Sequence, residues 1–133
     1  RITLHRAFDV CRDPFAAMEQ AAEMGVDIIL TSGQEGSCRE GEALLAELIK
    51  KAPAGMNILV GAGVNPEVIR HFLSRMPARH FHMSGKQVLE SEMQWRNERV
   101  NMGLPGISEF EIYRTDGNAV RQARDILEET LAD

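Results

Sequence analysis

The chain has 133 residues, of which 44% are hydrophobic and 26% charged, a composition typical of one globular domain rather than of a disordered or fibrous chain. The formal net charge of −5 and the lack of a clustered basic stretch argue against nucleic acid as a partner. No apolar run approaches the roughly 18 to 20 residues that a membrane-spanning helix needs, which argues against a membrane partner.

Residue usage also indicates a compartment. Two cysteines without a disulfide-like framework, together with seven methionines, are typical of a reducing environment. The N-terminus shows no charged segment leading into an apolar signal core, so we expect a cytoplasmic protein. The chain begins at Arg1 and enters an apolar stretch almost at once, which suggests a fragment; residues 1–133 are interpreted as a single domain.

Short apolar strands alternate with amphipathic helices along the chain. Strands are predicted over residues 2–7, 27–33, 57–63 and 79–85. Asp13 and Asn65, each followed by proline, are predicted to cap the first and third helices, and Thr115 or Asp116 the last. The apolar positions predicted to face the core are Phe15, Met18, Ala21, Ala22, Leu44, Leu45, Leu48, Ile49, Val68, Ile69, Phe72, Leu73, Met76, Val120, Ala123, Leu127 and Leu131.

This alternation predicts an α/β domain of (βα)4 order with a parallel sheet, because each helical crossover carries the chain back to the same end of the sheet. Ligands of such sheets bind at the carboxyl ends of the strands. The chemically notable clusters all fall there, at residues 5–9 (HRAFD), 31–33 (TSG), 61–63 (GAG) and 84–85 (SG). We therefore expect the functional rim at that end of the sheet.

The segment 85–115 is predicted as a long loop, and long loops in compact domains are commonly functional. Its methionines, Met93 and Met102, together with Trp95, Arg96 and Asn97, are consistent with a lid over the strand ends. Ordinary packing is the interpretation we prefer for the two methionines.

Six stretches of the sequence follow one another as in a known family: TLHRAFDVC, ILTSGQ, GAGV, FHMSG, MQWRNERVNMG and EIYRTDG. On these motifs the chain resembles the carboxyl-terminal half of the CutC copper homeostasis protein family. The resemblance implies a TIM (β/α)8 barrel, of which this chain is a (βα)4 half barrel with parallel strands. It also implies copper as a cofactor or cargo, with Cu(I) binding or trafficking in the cytoplasm.

The resemblance also bears on metal ligands. Thiolate, thioether and imidazole groups suit Cu(I), and Cys11 matches a cysteine that some family members carry after HRAFD. Cys11 is therefore the candidate metal ligand, although it also suits a small buried hydrophobe, whereas Cys38 has no matching position. His80 and His82 lie two apart on a strand and face one side, but only His82 matches a family histidine, so a metal clip is not implied.

The alternative function is enzymatic. Phosphate-binding TIM barrels present glycine amides to a phosphate from the loops after the last two strands. The residues at the corresponding places are Gly61, Gly63, Ser84 and Gly85. Together with the cationic side chain of Arg96 they make a candidate anion site, suited to a small phosphorylated or carboxylated metabolite. Equally, Gly61 and Gly63 suit a tight turn into the helix that begins at Pro66.

His5, Arg6 and Asp9 are the candidate catalytic residues of such an enzyme. His5 or Asp9 suits a general acid or base, and Arg6, with Arg96, suits a clamp on a carboxylate or phosphate. The alternative for Arg6 and Asp9 is a rim ion pair that stiffens the loop. A third hypothesis is a scaffold protein without chemistry of its own.

An open four-stranded sheet leaves its two outer strands, around residues 2–7 and 80–83, with unpaired backbone groups, whereas a closed barrel has no edges. It also leaves one face without opposing strands. We therefore expect a homodimer or association with the missing barrel half, with a copper ion or a small anionic molecule as the other partner.

Overall fold

A computed structural model describes residues 1–132 and shows an α/β fold around a four-stranded parallel sheet. The strands lie side by side in chain order: β1 (Thr3–Leu4), β2 (Ile28–Thr31), β3 (Asn57–Val60) and β4 (His80–Phe81). Three helices connect them: α1 (Pro14–Glu23), α2 (Glu42–Lys51) and α3 (Pro66–Leu73). Parallel pairing in chain order is what successive helical crossovers produce, and it is compatible with half of a barrel.

The predicted helix caps at Asp13 and Asn65 are confirmed. Asp13 accepts hydrogen bonds from the amides of Phe15 and Ala16, both at 3.0 Å, and Asn65 accepts one from Val68 at 2.9 Å. These bonds satisfy amide groups that a helix start otherwise leaves unpaired.

The core lies between one face of the sheet and the helices. Along β2 and β3 every second residue is buried on this face, namely Ile29, Thr31, Ile58 and Val60. The predicted apolar faces of α1, α2 and α3 supply the other side of the core, with Met18, Ala21, Leu45, Leu48, Val68, Ile69, Phe72 and Met76 buried. The opposite face of the sheet, including Ile28, Leu30 and Leu59, is half-buried, and no helix within residues 1–132 covers it.

The strand prediction for residues 2–7 is wrong beyond Leu4. The chain turns at His5, whose Nδ1 accepts the Ala7 amide at 2.9 Å, and residues Arg6–Val10 form a 3₁₀ helix that buries Phe8. The other three strands also end earlier than predicted. Two residues after β2 and β3 end, the chain enters turns with positive φ, at Gly33 and Ala62, and a turn cannot continue the ladder of a parallel sheet.

The loop prediction for residues 85–115 is wrong at both ends of the segment, whereas residues 91–110 contain no helix or strand. This segment forms an antiparallel hairpin of β5 (Lys86–Glu90) and β6 (Glu111–Thr115), and helix α4 (Gly117–Leu131) follows it. Asp116, one of the two predicted caps, accepts the Asn118 amide at 2.9 Å. The hairpin interrupts the predicted (βα)4 order between β4 and the last helix.

We call residues 86–115 the arm. Its two strands pack mainly on each other, and it exposes large apolar side chains, among them Val88, Met93, Trp95, Val100, Met102, Leu104 and Ile107. The preferred packing role for Met93 and Met102 is therefore wrong, because their exposed fractions are 52% and 85%.

Helix α4 packs against α3 and buries Ala123 and Ile126. Val120 and Leu131, which we expect to face the core, are exposed because α4 contacts the molecule along a narrower stripe than predicted. Among residues 1–132, no helix has both the length and the apolar character that crossing a membrane requires.

Candidate functional site

A cleft of about 280 Å³ opens at the carboxyl ends of the parallel strands. It is lined by Arg6, Leu30, Ala62, Gly63, Val64, His82 and Ser84, which come from the segments that follow or end all four strands. Three of the predicted site residues therefore share one cleft, namely Arg6, Gly63 and Ser84.

Asp9 is the centre of the hydrogen-bond network beside this cleft. Its Oδ1 accepts from the Thr31 hydroxyl at 2.5 Å and the Gln34 amide at 3.2 Å, and its Oδ2 accepts from Arg6 Nε at 2.6 Å. The Ser32 amide lies within 3.2 Å of both oxygens. The Asp9 side chain is 7% exposed, so this carboxylate ties the loop after β1 to the end of β2.

The network also sets the protonation state of Asp9. Burial by itself raises the pKa of this carboxyl, but the hydrogen bonds from Thr31, Arg6 and Ser32 lower it by more, so the pKa lies below its ordinary value. Asp9 is therefore a carboxylate at neutral pH, and it acts as an acceptor only.

Arg6 takes its orientation from this network. Besides Nε on Asp9, its Nη2 donates to the Ser32 hydroxyl at 2.8 Å and to the Glu35 carbonyl oxygen at 3.3 Å. The side chain remains 44% exposed and lines the cleft. The ion pair between Arg6 and Asp9 that we offered as the alternative to catalysis is thus present in the structure.

The turn after β3 forms the opposite wall. Ala62 and Gly63 both adopt positive φ, at 72° and 76°, and the Cys38 amide holds the Ala62 carbonyl oxygen at 3.0 Å. At Gly61 a Cβ would lie 2.6 Å from Cδ1 of Leu30, so a larger residue there would require the end of the Leu30 side chain to move. The predicted turn into α3 therefore accounts for Gly63, which it places on the cleft, whereas Gly61 does not adopt positive φ.

Gly85 directly precedes the arm, and Arg96 lies within it. The Gly85 carbonyl oxygen accepts the Asp116 amide at 2.6 Å, which closes the base of the arm. Arg96 donates to Glu90 at 3.1 Å and to the Ser91 carbonyl oxygen at 2.9 Å, and its guanidinium lies 4.8 Å from the centre of the Phe110 ring. Neither residue lines the cleft.

Arg96 sits there for an electrostatic reason. Glu90 and Glu111 are paired directly opposite one another on β5 and β6, and like charges in that arrangement repel. The Arg96 guanidinium offsets this repulsion through its contact with Glu90. The anion-binding role predicted for Arg96 thus has no support from its position.

His5 also lies outside the cleft lining, with Nδ1 occupied as the cap acceptor of the 3₁₀ helix. His82, which we considered only as a metal ligand, is a cleft residue instead. The signal for it was available in the sequence, because His82 lies at the carboxyl end of β4 and side chains two apart on a strand share a face.

A protein-family model described as the CutC family matches residues 1–87, which include all four parallel strands and the loops that form the cleft. This chain belongs to the CutC family.

Curated relatives agree. A CutC family protein from Parabacteroides distasonis is 46% identical over 121 residues, covering 90% of this chain and 50% of the relative. Its counterpart from Bacteroides fragilis is 38% identical over 127 residues, with 96% and 50% covered, and that from Salmonella schwarzengrund is 36% identical, with 95% and 50% covered. The chain spans about half the length of the curated relatives it matches.

CutC membership raises the question of metal ligands. The Cys11 thiol is half-buried, and its sulfur lies 3.3 Å from Nε2 of Gln34. Burial, followed by the nearby charge of Asp13, raises the pKa of Cys11, and burial also raises the pKa of the fully enclosed Cys38 thiol. Both cysteines are therefore thiols rather than thiolates at neutral pH.

The rest of the donor set is dispersed. Among residues 1–132, no three His, Cys, Asp or Glu side chains come together as a set able to hold a metal ion. His80 lines a separate cavity of about 120 Å³ at the other end of the sheet, away from His82. These residues do not fit a copper centre formed by this chain alone.

Proposed function

We propose that the strand-end cleft binds a small phosphorylated or carboxylated metabolite. The observation that carries the proposal is the meeting of Arg6, His82 and Ser84 with the backbone turn at Ala62 and Gly63 in a single cleft. Guanidinium, imidazole and hydroxyl groups all donate hydrogen bonds to anions, and positive-φ turns bring backbone amides within reach of one.

The size and lining of the cleft narrow the ligand class. Its volume of about 280 Å³ is at or below the lower end of ordinary ligand pockets, roughly 300 to 1,000 Å³. Leu30 and Val64 contribute apolar surface beside the polar donors. A short carbon chain or small ring that bears one anionic group is the ligand this lining suits.

The proposal concerns binding of the metabolite. His5, Arg6 and Asp9 would be catalytic residues if the protein also acts on this metabolite as an enzyme. Asp9 has both oxygens occupied and a lowered pKa, which suits holding Arg6 better than accepting a proton. The acid and base roles of His5 and Asp9 stay predictions.

Binding or trafficking of Cu(I) in the cytoplasm is the second candidate function, favoured by CutC membership. Cys11 is a partly accessible thiol at the rim, beside Gln34. No three His, Cys, Asp or Glu side chains come together among residues 1–132, so Cys11 has no preformed cluster of those ligand types beside it.

Calorimetric titration of the purified chain with inorganic phosphate and with acetate tests the anion proposal. We expect saturable binding, and we expect Arg6→Ala to weaken it about ten- to hundredfold, because hydrogen bonds to charged groups contribute about 1.5–3 kcal/mol. Arg12→Ala is the matched control, since Arg12 is exposed and does not line the cleft. Absence of binding by the parent chain, or equal losses in both variants, would contradict the proposal.

Anaerobic loading with Cu(I) tests the second candidate. If this chain binds copper through Cys11, Cys11→Ser lowers the bound stoichiometry while helix content, measured by circular dichroism, is unchanged. We expect little change for the isolated chain, because the donor set around Cys11 is incomplete.

A further inference from the structure

Arg6 is held at three of its donor groups. A guanidinium has five N–H donors; Nε of Arg6 donates to Asp9, and Nη2 donates to the Ser32 hydroxyl and the Glu35 carbonyl oxygen. The two hydrogens on Nη1 have no acceptor among residues 1–132. The guanidinium is therefore clamped along one edge and free along the other.

The clamp is itself fixed by the end of β2. Ser32 Oγ lies 2.6 Å from the Glu35 carbonyl oxygen and 3.0 Å from Asp9 Oδ2, and a hydroxyl has one hydrogen to donate. Whichever of these two oxygens takes that hydrogen, Ser32 Oγ accepts from Arg6 Nη2. Asp9 and Ser32 thus accept from different nitrogens of the same guanidinium edge, Nε and Nη2, and do not compete for one donor.

A strained residue completes the clamp. Gln34 adopts φ of 61°, a left-handed conformation that residues other than glycine seldom take. Its amide donates to Asp9 at 3.2 Å, and its side chain donates to the Cys11 carbonyl oxygen at 2.8 Å. Strain of this kind persists where surrounding bonds over-determine the backbone, and it clusters at ligand sites.

We infer that Asp9 is a positioning residue, which acts through Arg6 by presenting the Nη1 edge of its guanidinium to an anion in the cleft in a preset orientation. This inference rests on the proposed function. A side chain already held in its binding orientation loses less freedom when the ligand arrives, so the clamp raises anion affinity without touching the anion. Lysine cannot replace Arg6, because an ammonium lacks the planar fork that is held along one edge and donates along the other.

Titration with inorganic phosphate in a double-mutant cycle tests the inference. We expect Asp9→Asn to weaken phosphate binding about two- to tenfold, the range set by the cost of immobilising one side chain. In the Arg6→Ala background we expect Asp9→Asn to have no further effect, since Asp9 then has nothing to position. Arg6→Lys keeps the charge and is expected to bind phosphate as weakly as Arg6→Ala.

Asp13→Asn is the matched control. It makes the same change of charge four residues away, and the new amide oxygen can still cap α1. We expect it to bind phosphate like the parent. Should Asp9→Asn fail to fold by circular dichroism, Ser32→Ala carries the same test, because it removes the other side of the clamp and leaves the Asp9 carboxylate in place.

The outcomes separate the two proposals. The positioning role is overturned if Asp9→Asn binds phosphate with the affinity of the parent, or if Asp9→Asn lowers that affinity equally with and without Arg6. The anion site is still supported in either case if Arg6→Ala weakens phosphate binding. No phosphate binding by the parent chain overturns both.

Discussion

At the residue scale, Asp9 links the fold to the candidate site. Its carboxylate joins the 3₁₀ helix after β1 to the end of β2 and holds Arg6 at the cleft. Because the charged form makes these bonds, the stability of the chain and the shape of the site depend on the same group.

This dependence predicts an acid-sensitive stability term. The folded-state pKa of Asp9 is lowered, so its contribution is fully present above the unfolded value of about 3.9 and is lost as pH falls through the folded value. We expect Asp9→Asn to reduce the free energy of unfolding by about 2 kcal/mol at pH 7, the size of a lost hydrogen bond to a charged group. Urea titrations from pH 7 to pH 2 measure it, and a gap between parent and variant that stays constant to pH 2 would argue against the assignment.

Gly33 and Gly55 allow a matched test of close packing at single residues. Both have positive φ, at 75° and 87°, but a Cβ on Gly33 would collide with the backbone of Gly41, whereas one on Gly55 meets nothing within 4 Å. Backbone atoms cannot give way as a flexible side chain can.

We therefore expect Gly33→Ala to destabilise the chain by about 1–3 kcal/mol more than Gly55→Ala, the usual range for overpacking. Both variants carry the left-handed strain, so the difference between them isolates the collision. Chemical denaturation measures the two values, and equal losses would show that strain rather than contact determines the effect.

At the element scale, α2 and α3 are joined by an ionic contact on their outer surface. Glu42 accepts from His71 Nε2 at 2.8 Å and from Arg75 Nε at 2.7 Å. The hydrogen bond from His71, opposed by burial and supported by Arg75, lowers the pKa of Glu42. A network of three groups holds these neighbouring helices more firmly than an isolated surface pair does.

Glu42→Gln should destabilise the chain by about 0.5–1 kcal/mol at pH 7, the upper range for a partly exposed ionic contact. Glu47→Gln is the control, because Glu47 makes a single surface contact of 3.5 Å with Lys51 within its own helix. Thermal unfolding in low salt compares them, and the Glu42 effect should shrink in 1 M salt as screening increases. Equal effects of the two substitutions would rule out a clamp between α2 and α3.

The arm is the part of the structure that is hardest to predict from the sequence. Its strands are exposed on both faces, so no alternation of apolar and polar residues marks them, and a turn-rich connection of about twenty residues separates them. Two-stranded hairpins have little stability alone, which makes the contact of Arg96 with Glu90 and the Phe110 ring important to this one.

We expect Arg96→Ala to loosen the arm without unfolding the domain. Amide hydrogen exchange should speed up in Lys86–Glu90 and Glu111–Thr115 and stay unchanged in β2 and β3. Arg99→Ala is the control, because the Arg99 side chain makes no hydrogen bond or ion pair with residues 1–132. Unchanged exchange in the arm would mean that the hairpin pairing alone maintains it.

At the scale of the whole molecule, the helices of the described residues, 1–132, cover one face of the parallel sheet and leave the other open. Its uncovered face carries Ile28, Leu30 and Leu59 half-buried, and β1 and β4 are its edges. Exposed apolar surface and unpaired strand edges favour association. Closure by a second copy or by the other barrel half remains our prediction for this surface.

Light scattering at low micromolar concentration tests the assembly prediction. We expect a species larger than a monomer, and we expect Leu59→Lys to shift the chain toward the monomer by placing a charge on the uncovered face. Val10→Lys is the control, since Val10 is 86% exposed on the 3₁₀ helix and lies off the sheet. A monomeric parent with cooperative unfolding would rule the prediction out.

The amino-acid sequence alone was enough for the order of the four strands, the caps at Asp13 and Asn65, most of the buried helix faces and membership of the CutC family. These features depend on neighbours within one or two helical turns or on short motifs, so the pattern along the chain contains them. The residues that meet in the cleft were only partly predictable, since Arg6, Gly63 and Ser84 were candidates, whereas His82 was weighed only for a metal clip that the sequence does not imply.

Only the tertiary structure determines which cationic side chain lines the cleft and which secondary structure the segment 85–115 adopts. Arg6 meets Ser32 and Asp9 meets Thr31 across 26 and 22 positions of sequence, and no local pattern encodes such a contact. Arg96 and Arg6 carry the same charge. The antiparallel pairing of β5 and β6 places Glu90 opposite Glu111, however, and Arg96 forms an ion pair with Glu90. The charge of a side chain follows from the sequence alone, whereas its ion-pair or hydrogen-bond partner depends on which strands pair in the folded chain.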